Sequence, residues 1–413
     1  MDLVNLIAII LSLSAAFSYL NFRFIGLPTT IGVMLIALVC SLLLIIFDVL
    51  GIIDIRTQVT SMLQHIDFNK ALMDGMLSFL LFAGALHVST NDLADTKLTV
   101  GLLATVGVCL STFIVGSVTF VLLSVLGIQV DYLYCLLFGA LISPTDPIAV
   151  MATLKQAGIA RSLETKIAGE SLFNDGVGVV IFVVLLGLVS NPEAATFGSV
   201  VFLFFQEAVG GVLFGLLLGS LGFYLLKSVD NYQVEILLTL ALVLGGYTLA
   251  HTLHLSGPIA VVVAGLLIGN RGRQYAMSTN TREHLDNFWE LLDEILNVIL
   301  FVLIGLELLI LDFQGPYLIA GLLAIPLVLC SRFIAVGTPI TILRKFFSKE
   351  FSPHVVKILA WGGLRGGISV ALALSLPVGT ERDIFLVVTY VIVIFSIVVQ
   401  GLTIGTVAKR LSE

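Results

Sequence analysis

Gly139-Ala140-Leu141-Ile142-Ser143-Pro144-Thr145-Asp146-Pro147 is the stretch that decides the reading of this chain, because it sets an acid between two prolines inside an apolar run. A second acid follows in the next apolar run, where Glu170-Ser171-Leu172-Phe173-Asn174-Asp175 ends on Asp175. If these runs cross a membrane, each carboxylate costs roughly 3 kcal/mol at the bilayer centre on insertion scales. Each therefore needs a reason to be there, and a transported cation is the simplest one.

The composition requires the membrane. Of 413 residues, 58% are hydrophobic and 11% charged, against about 25% charged in an ordinary soluble domain. Apolar blocks recur from end to end, and no linker or separate soluble domain interrupts them. The first block, about residues 3–19, follows an acidic Met1-Asp2 and has no small-residue cleavage site, so it reads as a retained helix rather than a signal peptide. Cys40, Cys109, Cys135 and Cys330 lie in apolar blocks without metal-ligand spacing and read as core residues. The net charge of −7 comes with no basic stripe, so nucleic acid is not an expected partner. Nothing in the sequence calls for a cofactor.

A helix needs about 20 apolar residues to cross ~30 Å of hydrocarbon. The blocks parse near 3–20, 27–47, 71–88, 98–127, 131–152, 163–190, 196–226, 234–254, 257–270, 288–311, 315–343, 355–376 and 383–408. This is an all-α polytopic membrane protein of about thirteen spans, the ninth short. Alternate loops hold fifteen Lys and Arg residues, from Arg23 through Lys155, Arg271, Arg344 and Lys349 to Arg410, against Arg56, Lys70 and Arg382 on the other side. The bias predicts an outer N-terminus and a cytoplasmic C-terminus. Two six-span sets flanking the seventh span face opposite ways, and if they are inverted repeats, span 5 pairs with span 12.

Those two spans have broken sequences. Pro144 and Pro147 flank Thr145-Asp146, and each proline removes an N–H and disturbs the turn before it. Span 12 carries Trp361-Gly362-Gly363-Leu364-Arg365-Gly366-Gly367, whose glycines permit non-helical backbone. Such backbone survives at membrane depth only where it is buried or lines a wet cavity. Two discontinuous helices that cross would create that setting. Arg365 is expected to neutralise helix ends or Asp146 rather than to bind substrate.

Ser171 and Asp175 are four residues apart and share a helix face, with Asn174 beside them. Hard cations prefer oxygen ligands, and Thr145, by hydroxyl or freed carbonyl, and Asp146, directly or through water, could complete the shell. A carboxylate withdrawn from water holds its proton more tightly, whereas a bound cation favours the ionised form. Proton and cation then compete for Asp175. With Asn174 rather than a second acid before it, one-for-one, electroneutral exchange is expected. Glu170 and Arg332 are two further expensive charges, whose natural solution is to pair. Glu170 is read as that structural partner in preference to an ion ligand.

With Gly169-Glu170-Ser171-Leu172-Phe173-Asn174-Asp175-Gly176, Phe301-Val302-Leu303-Ile304-Gly305-Leu306-Glu307 and Gly363-Leu364-Arg365-Gly366 added to the opening stretch, the chain resembles the NhaP/NHE branch of the cation:proton antiporter superfamily. The resemblance covers essentially the whole chain. It implies a homodimer exchanging Na+, Li+ or sometimes K+ for H+, with a core domain (spans 4–6 and 11–13) moving against a dimerisation domain built from the remaining spans. It places the ion among Thr145, Asp146, Ser171 and Asp175, supported by Asn174, and pairs Glu170 with Arg332. Some relatives carry an acid in the third span where this chain reads Leu81-Phe82-Ala83-Gly84-Ala85, a departure that leaves open whether the third span contributes a ligand. The long regulatory tail of animal exchangers is missing after Lys409-Arg410, which points to a prokaryotic inner membrane.

The rival readings are a K+/H+ antiporter, a Na+-coupled solute symporter, a cation channel and an intramembrane enzyme. No feature demands an organic substrate, a continuous pore or a hydrolytic dyad. His87, His251 and His254 read as interfacial residues, and Glu207, Glu235 and Glu307 as residues near interfaces or helix contacts.

Overall fold

The computed structural model describes residues 3–51, 70–147, 150, 151, 153, 154, 161–190, 197–309, 311, 313–347, 351, 352 and 354–412. Helix α1 (Leu3–Leu20) runs on through a π-type turn and stops at Gly26, whose φ of 73° ends it; Pro28 then precedes α2 (Thr29–Val49). Helix α3 (Leu77–His87) is followed by α4 (Thr90–Leu102) and α5 (Val108–Val125), which a π-type turn joins into one long rod. Then come α6 (Tyr132–Ile142), α7 (Arg161–Ser190), α8 (Phe197–Lys227), α9 (Tyr232–Thr252) and α10 (Gly257–Leu267). The chain closes with α11 (Thr279–Glu307), α12 (Gly315–Phe347), α13 (Val355–Trp361), α14 (Gly367–Leu374), α15 (Thr380–Phe395) and α16 (Leu402–Ser412).

Each expected span falls on a helix or a broken helical pair. Among the described residues, eight helices are by themselves long and apolar enough to cross a membrane. Residues 148, 149 and 152 of span 5, and Arg56, Lys155 and Lys349 of the charge comparison, lie outside the described residues.

Three boundaries are corrected. Span 4 begins at Thr90 rather than 98, because the Ser89 side chain accepts from the Asp92 N–H and starts the helix in polar sequence. Span 10 begins at Thr279 rather than 288, where Ser278 caps it in the same way. The ninth span is not short, since a π-type turn over Ile268–Gly272 carries it on to Tyr275. In all three, polarity conceals helix that hydropathy treats as loop.

Large apolar side chains such as Phe22, Phe202, Leu213 and Leu237 face outward, while Glu170, Asn174, Arg332 and Arg365 are buried. This inversion suits a lipid solvent. Helix α8 packs on α10 along Gly211, Gly215 and Gly219 against Ser256, Ala260 and Ala264, close enough that a Cβ on Gly215 would lie 2.5 Å from the Ala260 carbonyl. At one end of the bundle Asn270 accepts from the Thr90 N–H at 2.7 Å and donates to the Val88 carbonyl at 2.9 Å, and Arg273 pairs with Asp286. The ends of α3 and α10 and the start of α11 therefore lie on one side, as alternating spans require.

Candidate functional site

The breaks in spans 5 and 12 meet. The Asp146 N–H donates to the Leu364 carbonyl at 2.8 Å, and the two residues form an isolated antiparallel bridge between otherwise separate half-helices. Other backbone groups freed by the breaks also find partners. The Arg365 N–H donates to Ser396 Oγ at 2.9 Å, and Gln400 Nε2 donates to the Trp361 carbonyl at 2.8 Å, both from the π-type turn after α15. The Arg365 guanidinium donates to the carbonyls of Ser143 and Pro144, the latter at 2.9 Å. It thus caps the end of α6, where a helix terminus carries about half a unit of negative charge. Of the two roles expected for Arg365, this contact is the helix-end one.

Helix α7 is clamped to the first break by side chains. Asn174 Oδ1 accepts from the Thr145 N–H at 3.2 Å, Asn174 Nδ2 donates to Thr145 Oγ1 at 2.8 Å, and the Thr145 and Ser171 hydroxyls lie 3.2 Å apart. All three residues are buried. They form a hydrogen-bonded triad behind the cavity and not part of its lining.

Asp146 and Asp175 do line the cavity, which has a volume of about 140 Å³. Asp175 is 6% exposed, and among the described residues nothing hydrogen-bonds or ion-pairs with its carboxylate. A desolvated carboxylate without a partner is the most expensive group in this lining. Helix α3 supplies Leu81 and Gly84 to the wall and no acid, consistent with the sequence of that span. Three polar lining residues were not singled out from sequence: Asp293 and Asn297 of α11, and Ser369 of α14. The available signal was the spacing of Asp286, Glu290, Asp293 and Asn297 at steps of four, three and four.

Glu170 and Arg332 are paired, with Arg332 Nη1 2.6 Å from Glu170 Oε1, and neither lines the cavity. Arg332 lies so close to the second break that a Cβ on Gly363 would sit 2.6 Å from its Nε. His87, His251 and His254 are exposed at helix ends. Glu235 is fully buried at a helix contact, accepting from the Thr281 hydroxyl at 3.1 Å.

The closeness of the breaks makes a prediction. A Cβ on Gly366 would overlap the Asp146 carboxylate, whereas one on Gly84, in the same cavity wall, would meet only Leu172 Cδ1 at 3.7 Å. Gly366→Ala is expected to displace Asp146 at a cost of about 1–3 kcal/mol and to cut transport at least about tenfold. Gly84→Ala should leave it near the unsubstituted rate. Flux in proteoliposomes, with thermal unfolding of the same preparations, checks both.

The chain matches the family described as "Sodium/hydrogen exchanger, transmembrane" over residues 10–410. It is 51% identical over 411 residues to the Na(+)/H(+) antiporter NhaP of Pseudomonas aeruginosa, covering 99% of this chain and 97% of that protein. It is 36% identical over 389 residues to the Na(+)/H(+) antiporter NhaH of Halobacillus aidingensis, covering 93% and 92%. Its fold is similar to that of the sodium proton antiporter MjNhaP1 from Methanocaldococcus jannaschii, with a TM-score of 0.77 at 20% identity and full coverage of both chains.

Proposed function

We infer from this site and from the family to which the chain belongs, the sodium/hydrogen exchangers, that it is a secondary antiporter moving Na+ one way across a membrane and H+ the other. The observation that carries this reading is Asp175, nearly buried and without a partner among the described residues, aimed into a mostly apolar cavity whose few polar lining residues include a second acid, Asp146. An acid there is neutralised either by a proton or by a cation, and never by both at once. Asp146 shares the cavity as the second cation contact. Thr145, Ser171 and Asn174 stand behind the two acids, where a small rearrangement would turn the hydroxyls of Thr145 and Ser171 to the ion. The relatives above are named as Na+ antiporters, which favours Na+ over K+ as cargo.

Alternating access needs two bodies, and the contacts suggest where they divide. The bridge and the Arg365 cap join spans 5 and 12, the Thr145–Asn174 bonds join spans 5 and 6, the Glu170–Arg332 pair joins spans 6 and 11, and Ser396 and Gln400 join span 13 to span 12. The cavity lies between this group and the walls supplied by α3 and α11. A core of spans 4–6 and 11–13 moving against the remaining spans, which dimerise, fits that division. With the N-terminus outside, Val88, Ala168 and Asp293 mark the cytoplasmic flank of the cavity. A bacterial relative with 51% identity makes an inner membrane the fitting location.

Proton flux in proteoliposomes, with Na+, Li+ and K+ offered in turn against an imposed pH gradient, tests the function. Na+ and Li+ should each collapse the gradient, and K+ far less. Clamping the voltage at zero should leave the rate unchanged, because one charge exchanges for one. A gradient indifferent to every cation removes the antiport reading, and a rate that follows voltage removes the stoichiometry.

A further inference from the structure

Asp286, Glu290, Asp293 and Asn297 occupy one face of α11. Burial deepens along the last three: Glu290 is exposed, Asp293 half-buried and Asn297 buried. Asp286, at the outer end, is held by Arg273. The inner two residues share the cavity with Asp146 and Asp175. A row of acids on a helix is commonly no more than a solvated face, but this one runs inward to a cavity that holds two other signs of a ligand. Among the described residues Asp175 points into that cavity without a partner, and so does the Ser369 hydroxyl, 1% exposed and unbonded. Among the described residues, no three His, Cys, Asp or Glu side chains converge closely enough to hold a single metal ion. The acids are therefore arranged in succession and do not form one cage.

We propose that this face of α11 is the approach by which a monovalent cation reaches Asp175, and that Asp293, which lines the cavity together with Asn297 and Ser369, is the last station before it. This rests on the antiport reading above and adds a residue to it. A cleft lined with one sign of charge concentrates counter-ions locally and raises their arrival rate by about ten- to a thousandfold. Asp293 would do so for the compartment on its own flank, while Asp175 alone exchanges proton for cation. The polar residues missing from α3 would then be supplied by α11.

The test is Na+-driven proton flux by the full-length protein in proteoliposomes of defined orientation, read from each face. Asp293→Asn is expected to raise the KM for Na+ about tenfold on the Asp293 flank, with the maximal rate and the KM on the other face within about twofold of the unsubstituted values. Asp293→Glu should restore the KM, which a merely structural defect would not allow. An unchanged KM on both faces, in a protein whose exchange still depends on Asp175, overturns the approach and leaves the antiport reading standing. Loss of exchange at every Na+ concentration in a stably folded Asp293→Asn also overturns it, because Asp293 would then belong to the exchange step itself. If Asp293→Asn fails to fold, the exposed Glu290→Gln is read instead: a rise in KM of about threefold on the same face supports the approach, and no change defeats it. An unsubstituted protein without exchange would fail the antiport reading first.

Discussion

Asp175→Asn is expected to abolish Na+-driven proton movement, reducing it by more than about a hundredfold to the leak of protein-free liposomes. The magnitude follows from comparison: altering a residue that only supports a metal ligand costs about ten- to a hundredfold, and Asp175 is read as the ligand and the proton carrier together. Asn fills the same volume and makes no new charge. Because it removes a nearly buried carboxylate that has no partner among the described residues, the variant should unfold at the same temperature as the parent or slightly above it. Dye-reported proton flux and thermal unfolding on one preparation give both numbers. A variant that still exchanges Na+ for H+ would remove Asp175 from the mechanism.

Breaking the Glu170–Arg332 pair should act on the fold instead. Both side chains are buried, with 2.6 Å between them, and both lie away from the cavity. Removing one partner strands the other charge, which costs about 3–5 kcal/mol in a buried pair. Glu170→Ala and Arg332→Ala should each therefore be produced in low yield and unfold early. The double variant Glu170→Gln with Arg332→Met, which leaves no charge, should recover much of that loss, and thermal unfolding across the cycle measures the coupling. If the single variants unfold normally but bind Na+ poorly, the pair belongs to the ion site.

What could be read from the sequence follows from what is expensive. Pro144, Asp146 and Pro147 announce a break because no intact helix tolerates them cheaply, and Glu170 and Arg332 announce each other because neither survives alone in lipid. The helices were legible for the same reason, except where Ser89 and Ser278 start them in polar sequence. Facing was harder to read. Asn174 and Asp175 are neighbours about 100° apart on α7, and that angle separates a residue hydrogen-bonded to the break from one aimed into the cavity. Asp293 was passed over because it sits in the charged part of α11, where an acid does not look costly. Its importance depends on which helix it faces, and this is a long-range fact. The same holds for the union of Asp146 with Leu364, two residues 218 positions apart whose meeting no local pattern records.

That union is made by main chain on both sides, an amide N–H and a carbonyl oxygen. Mutation reaches side chains and, proline aside, leaves those atoms in place. A lineage of such proteins can therefore revise the acids and hydroxyls around the crossing, and with them the identity of the cargo, while the rivet that fastens the two half-helices is inherited unchanged.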